Sequence, residues 1–207
     1  MVSADFRIGV LGSGSGSNCE AILKACASGR IPGQVAIVLS DVADALILER
    51  ARHYGIKSQF IGASRFKTKL DPELEETAVR MLIDAGVRFV ALAGFMRVIK
   101  SPLLKAFGGR MMNIHPSLLP AFPGLRAWEQ ALAYGAKVTG CTVHFVDESV
   151  DGGPIILQQA VPVLPNDTPS ALLQRIQVVE HQIYPEAIRL YAHGKLEVAG
   201  RVARILE

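Results

Sequence analysis

The chain has 207 residues, half of them hydrophobic and a fifth charged, with a formal net charge of +3. Such a composition belongs to a globular chain with enough residues for one good core. Lys and Arg are interspersed with Asp and Glu and form no basic run, which argues against a nucleic-acid surface, and the longest strongly apolar stretch, residues 89–96, is too short to span a bilayer.

Glycine and serine interrupt the N-terminus after Leu11, so no secretory signal is expected. Three cysteines, Cys19, Cys26 and Cys141, form no C-x-x-C pair. Free thiols in a cytoplasmic protein are the economical reading. Residues 7–11 read as a buried strand running into Gly12-Ser-Gly-Ser-Gly-Ser-Asn18, then a helix over about 19–28 that packs Cys19 and Cys26. A strand, a glycine loop and a helix N-terminus make an anion site: free N–H groups point outward and the dipole favours negative charge. Ser17 or Asn18 is the expected N-cap. No Gly-Lys-Ser/Thr follows, so the loop is not an ATP-type P-loop, and Ser17 stands where a dinucleotide fingerprint needs its third glycine. Asp41, at the end of the second strand, keeps a dinucleotide reading open, and a merely tight turn would explain the glycines as well.

The pattern continues with strands over 34–40, 57–61 and 88–93 and helices over 45–53 and 71–85, the latter carrying Leu74, Ala78, Met81, Leu82 and Ala85 on one face. Four strands alternating with helices predict a Rossmann-like, doubly wound α/β sheet with ligands at the carboxyl ends of its strands. Residues 94–99 would line that cleft. A fifth strand over 111–113 delivers Asn113 and His115 to the same edge, followed by prolines at 116, 120 and 123 that a core strand would reject. A helix over 128–134, strands over 140–146 and 155–161, a long helix over 168–193 and a short strand over 196–198 complete the chain. The expected sheet is therefore mixed, with a parallel N-terminal half (1–100) and antiparallel strands in the C-terminal half (101–207) of a single domain.

Asn113, His115, His144 and Asp151 collect as candidate catalytic groups. An amide can donate to a developing oxyanion, an imidazole can transfer a proton, and a nearby carboxylate favours the charged imidazole. Ser117 lacks a nucleophile elbow, so direct transfer through a tetrahedral intermediate is expected rather than an acyl-enzyme. A metal reading of His115, His144 and Asp151 lacks recognisable ligand spacing, and no metal is expected.

These segments resemble the phosphoribosylglycinamide formyltransferase family of folate-dependent enzymes over almost the whole chain. The resemblance rests on Gly14-Ser-Gly-Ser-Asn18, Leu92-Ala-Gly-Phe-Met-Arg97, Asn113-Ile-His-Pro-Ser-Leu-Leu-Pro120, Val143-His-Phe-Val146, Asp151-Gly-Gly-Pro154 and Glu180-His-Gln-Ile-Tyr-Pro185. It implies formyl transfer from 10-formyltetrahydrofolate, as cosubstrate, to the amine of glycinamide ribonucleotide in purine synthesis. Gly16, Ser17 and Asn18 would hold the phosphate, and Gln177 and Glu180 the ribose and glycinamide end. Lys69, Met96, Arg97, Val98 and Ile99, with Asp147, Glu148, Ser149, Val150 and Asp151, would surround the folate. Asn113, His115 and Asp151 would be the catalytic three, the Leu119–Pro120 bond would be cis, and a monomer or weak homodimer is expected. Arg126-Ala-Trp128 stands where family histidines are expected, and Lys69 where the folate tail would meet arginine. A formyltransferase acting on another amine and an NAD-binding oxidoreductase are the rival readings.

Overall fold

The computed structural model describes residues 6–207. One nine-stranded sheet runs through them in the order β3-β2-β1-β4-β5-β6-β7-β9-β8. Its first five strands are β1 (Arg7–Leu11), β2 (Gln34–Ser40), β3 (Ser58–Phe60), β4 (Phe89–Leu92) and β5 (Met111–His115). All their pairings are parallel. β4 and all of β1 after Arg7 are apolar or glycine and buried, because parallel strands are covered on both faces. Strand order reverses between β1 and β4, which opens a crevice at their carboxyl ends.

Beyond β5 the sheet turns antiparallel through β6 (Val138–Phe145) and β7 (Ile155–Pro162). One face packs α1 (Ser17–Ala27), α2 (Leu46–His53) and α6 (Pro169–Ala192) around Ile8, Val10, Phe89 and Tyr184. The other packs α3 (Pro72–Asp84) and α4 (Ser101–Phe107) around Leu11, Leu39, Val90 and Met111. α5 (Ala127–Tyr134) covers Cys141 together with α6. Tyr184, fully buried, brings its hydroxyl 3.0 Å from the Leu92 carbonyl and 2.9 Å from that of Met112, tying α6 to β4 and β5. Among the described residues, no helix is long and apolar enough to cross a membrane.

Four features differ from the sequence reading. α1 starts at Ser17, and its N-cap is Gly16 rather than Ser17 or Asn18. Gly16 holds φ at 76°, and a Cβ there would lie 2.7 Å from Ile47 Cα, so α2 packs where a capping side chain would stand. α4 is absent from the sequence reading, although Pro102 stands in its first turn, and its start is held from outside. The buried Glu75 carboxylate on α3 accepts from Lys100 N at 2.9 Å and Leu103 N at 3.3 Å. β5 extends to His115, two residues beyond expectation, because it gains β6 as a partner. The C-terminal strand is a hairpin, β8 (Leu196–Ala199) and β9 (Val202–Ile205), turning at Gly200 with φ 60°.

Candidate active site

The carboxyl ends of β4 and β5 open into a cleft of about 600 Å³. Asn113, His115, His144 and Asp151 all line it, together with residues 94–99 and the loop after β6. Antiparallel register places Asn113 opposite His144 and His115 opposite Thr142. Two strands thus bring an amide and two imidazoles together, and the loop adds the carboxylate.

Hydrogen-bond partners define the roles each group can take. His144 Nδ1 lies 2.8 Å from the Phe145 carbonyl and must donate to it. Burial holds the His144 imidazole below its ordinary range, so the ring is neutral and its Nε2 is bare. That nitrogen accepts from Asn113 Nδ2 at 3.3 Å, which fixes which end of the amide is nitrogen. The second amide proton is left for an acceptor in the cleft. His115 faces an acceptor on each side: Asp151 Oδ2 is 3.4 Å from Nδ1, and the Phe122 carbonyl 2.9 Å from Nε2. Asp151 itself sits at φ 52°, with Oδ2 accepting from Gly124 N at 2.8 Å and Oδ1 3.9 Å from His144 Nε2. The left-handed backbone turns its carboxylate back over β5 and β6. Among the described residues no group of three His, Cys, Asp or Glu side chains is arranged to hold a metal ion. Burial pushes the Cys19 and Cys141 thiols up to about 12 and Cys26 to about 11, so all three pack as small apolar groups rather than nucleophiles.

The glycine loop ends at Gly16, where the first turn of α1 has no side-chain cap and its leading N–H groups stay free for an anion. Asn18 turns inward, donating through Nδ2 to Glu180 Oε2 at 2.8 Å. Its own Oδ1 is buried without a partner. Burial raises the Glu180 carboxyl to about 7, and Gln177 lies one turn earlier on α6. A donor from a bound molecule would complete both the Asn18 and Glu180 side chains.

Several expected contacts fall elsewhere. Lys69 does not line the cleft; its ammonium sits 4.4 Å over the Phe66 ring, and Lys67 and Thr68 take the lining position. Backbone pairing of Lys69 with Val98 sets that register, which side-chain reasoning could not see. Glu148 is exposed on its loop and outside the lining, although Asp147, Ser149, Val150 and Asp151 belong to it. Met96, Val98 and Ile99 line the cleft; Arg97 does too, but its guanidinium is spent on Asp41 and the Phe66 and Lys67 carbonyls. Asp41 is buried with Ser13 Oγ on one oxygen and Arg97 Nε on the other, so it is not presented to a dinucleotide ribose. Ser117 is fully buried and donates to the Ala121 carbonyl at 2.5 Å. The Leu119–Pro120 peptide is cis. Arg126, at φ 53°, and Trp128 line the cleft where family histidines were expected.

Residues 6–188 match the family described as "Formyl transferase". A phosphoribosylglycinamide formyltransferase of Escherichia coli (strain K12) is 44% identical over 194 residues, covering 93% of this chain and 90% of that protein. The human trifunctional purine biosynthetic protein adenosine-3 is 41% identical over 203 residues; the alignment takes 97% of this chain but only 20% of that protein, so this chain spans about a fifth of it. Among solved structures, glycinamide ribonucleotide transformylase 1 from Symbiobacterium toebii superimposes with a TM-score of 0.93 at 54% identity, over 99% of this chain and 96% of that one.

Proposed function

The chain belongs to the formyl transferase family, and from that premise we propose that it moves the formyl group of 10-formyltetrahydrofolate to the amine of glycinamide ribonucleotide. The products are formylglycinamide ribonucleotide and tetrahydrofolate, a step of purine synthesis. One observation carries the reading: Asn113, His115 and Asp151 meet in one cleft, and the glycine loop before the uncapped N-terminus of α1, suited to a phosphate, is hydrogen-bonded to the rim of that cleft through Ser13 and Met96.

In this reading the phosphate binds at Gly16, Ser17 and Asn18, and Gln177 and Glu180 receive the ribose and glycinamide end. The pterin enters between residues 96–99 and the 147–151 loop. The amine nitrogen attacks the formyl carbon, and the carbonyl oxygen becomes an oxyanion held by the free Asn113 N–H, with His115 beside it as an imidazolium whose N–H groups face Asp151 and the Phe122 carbonyl. Asp151 stabilises the charged His115 and passes on the proton lost by the amine. Collapse of the tetrahedral intermediate breaks the bond to the folate nitrogen, which leaves with a proton.

The test is an assay of purified protein with both substrates, following loss of the formyl group from the folate. Turnover with glycinamide ribonucleotide is expected. Absence of transfer to it, with transfer to a different amine, would redirect the reading to that amine.

A further inference from the structure

Asp41 closes β2, is 4% exposed, and divides its carboxylate between two loops. Oδ1 accepts from Ser13 Oγ at 2.6 Å, inside the glycine loop. Oδ2 accepts from Arg97 Nε at 2.6 Å, on the rim of the cleft. The wiring continues on both sides. Ser13 Oγ accepts from Met96 N at 2.9 Å, and Ser13 N donates to the Gly94 carbonyl at 3.0 Å. Arg97 Nη1 donates to the Phe66 and Lys67 carbonyls, while Val98 N reaches Thr68 O at 2.8 Å.

We propose that Asp41 is a positioning residue that sets the spacing between the phosphate loop and the folate slot; this rests on the transfer reading above. A carboxylate this buried cannot drift from its partners, because separation would leave an unpaired charge away from water. Asp41 therefore holds the Ser13 and Arg97 side chains at one separation, beside the direct bonds that Ser13 makes to Gly94 and Met96. Direct transfer needs the attacking nitrogen and the formyl carbon in near-attack contact, and the two substrates are gripped by different loops. Binding of either substrate alone does not test that separation. Reaction between them does, so the contribution of Asp41 appears in the chemical step rather than in either binding constant.

The experiment uses the full chain with Asp41→Asn and, separately, Ser13→Ala. Calorimetry gives the Kd of glycinamide ribonucleotide and of a folate analogue one at a time, and rapid quench gives the single-turnover rate with both substrates saturating. The single-turnover rate is expected to fall about ten- to a hundred-fold while each Kd stays within about threefold. A rate within about threefold of the unaltered chain, or a loss matched by weakening of one Kd, overturns the inference. Should Asp41→Asn fail to fold, Ser13→Ala decides alone, since it spares the Asp41–Arg97 pair. An unaltered chain that binds neither ligand removes the transfer reading instead, and this inference with it.

Discussion

Replacing Glu180 with glutamine is expected to remove a pH-dependent loss of stability. Glu180 is 4% exposed on α6, and its one side-chain partner is the Asn18 amide. Burial lifts its carboxyl from an ordinary 4.5 to about 7. The sign follows from linkage. A raised value means that the folded state prefers the protonated acid, so this contribution is full below about 4.5 and is lost as pH rises through about 7. A difference of about 2.5 units at about 1.36 kcal/mol each is about 3 kcal/mol. Glutamine keeps an acceptor for Asn18 and never ionises. Relative to the unaltered chain, Glu180→Gln should therefore gain about 3 kcal/mol between about pH 5 and about pH 8, or on the order of 6–12 °C in Tm for a domain of this size. Thermal unfolding of the two ligand-free proteins, followed by circular dichroism across that range, measures the difference. Parallel Tm curves would refute the argument that burial controls this carboxyl.

Asp151→Asn and His115→Ala are each expected to cut turnover by about 10²–10⁴ with the fold retained, and near-normal turnover in either would remove that residue from the mechanism. Tyr184→Phe leaves the Leu92 and Met112 carbonyls without their shared hydroxyl and should cost about 1–3 kcal/mol, read from urea denaturation; an unmoved midpoint would show that those carbonyls need no partner. Gly153→Ala would place a Cβ 1.9 Å from the Phe145 carbonyl, in the loop that carries Asp151. It should lower kcat with the fold retained, and full activity would mean that the loop has slack to absorb the added methyl.

Much of this architecture could be read from local pattern. The apolar runs of β1, β2 and β4 and the glycine loop between β1 and α1 need no distant partner to be recognised. Asn113 and His115 were legible because three prolines mark the end of their strand, and Asp151 because glycines surround it. What escaped depends on contacts between remote segments. α4 begins where Glu75 reaches across from α3, and the proline in its first turn, Pro102, is a weak signal beside that contact. The orientation of Asn113 depends on His144, which faces it only through the β5–β6 register. Lys67 lines the cleft and Lys69 does not, and the placement of this segment rests on the backbone bridge between Lys69 and the distant Val98. Arg97 carried the right position and the wrong direction, because its charge is claimed by Asp41.

The sheet's two outer borders are β3 and β8, strands of three and four residues. Unpaired backbone along a long border invites another chain to extend the ladder; β3 and β8 offer only a few such groups, whereas β7 meets β9 at the single pair Ile155–Val202 and, among the described residues, has no strand partner along the rest of that side. Glu197 on β8 and Lys57 just before β3 add charge beside them. Growth of the ladder is thus blunted at the β3 and β8 ends of the sheet.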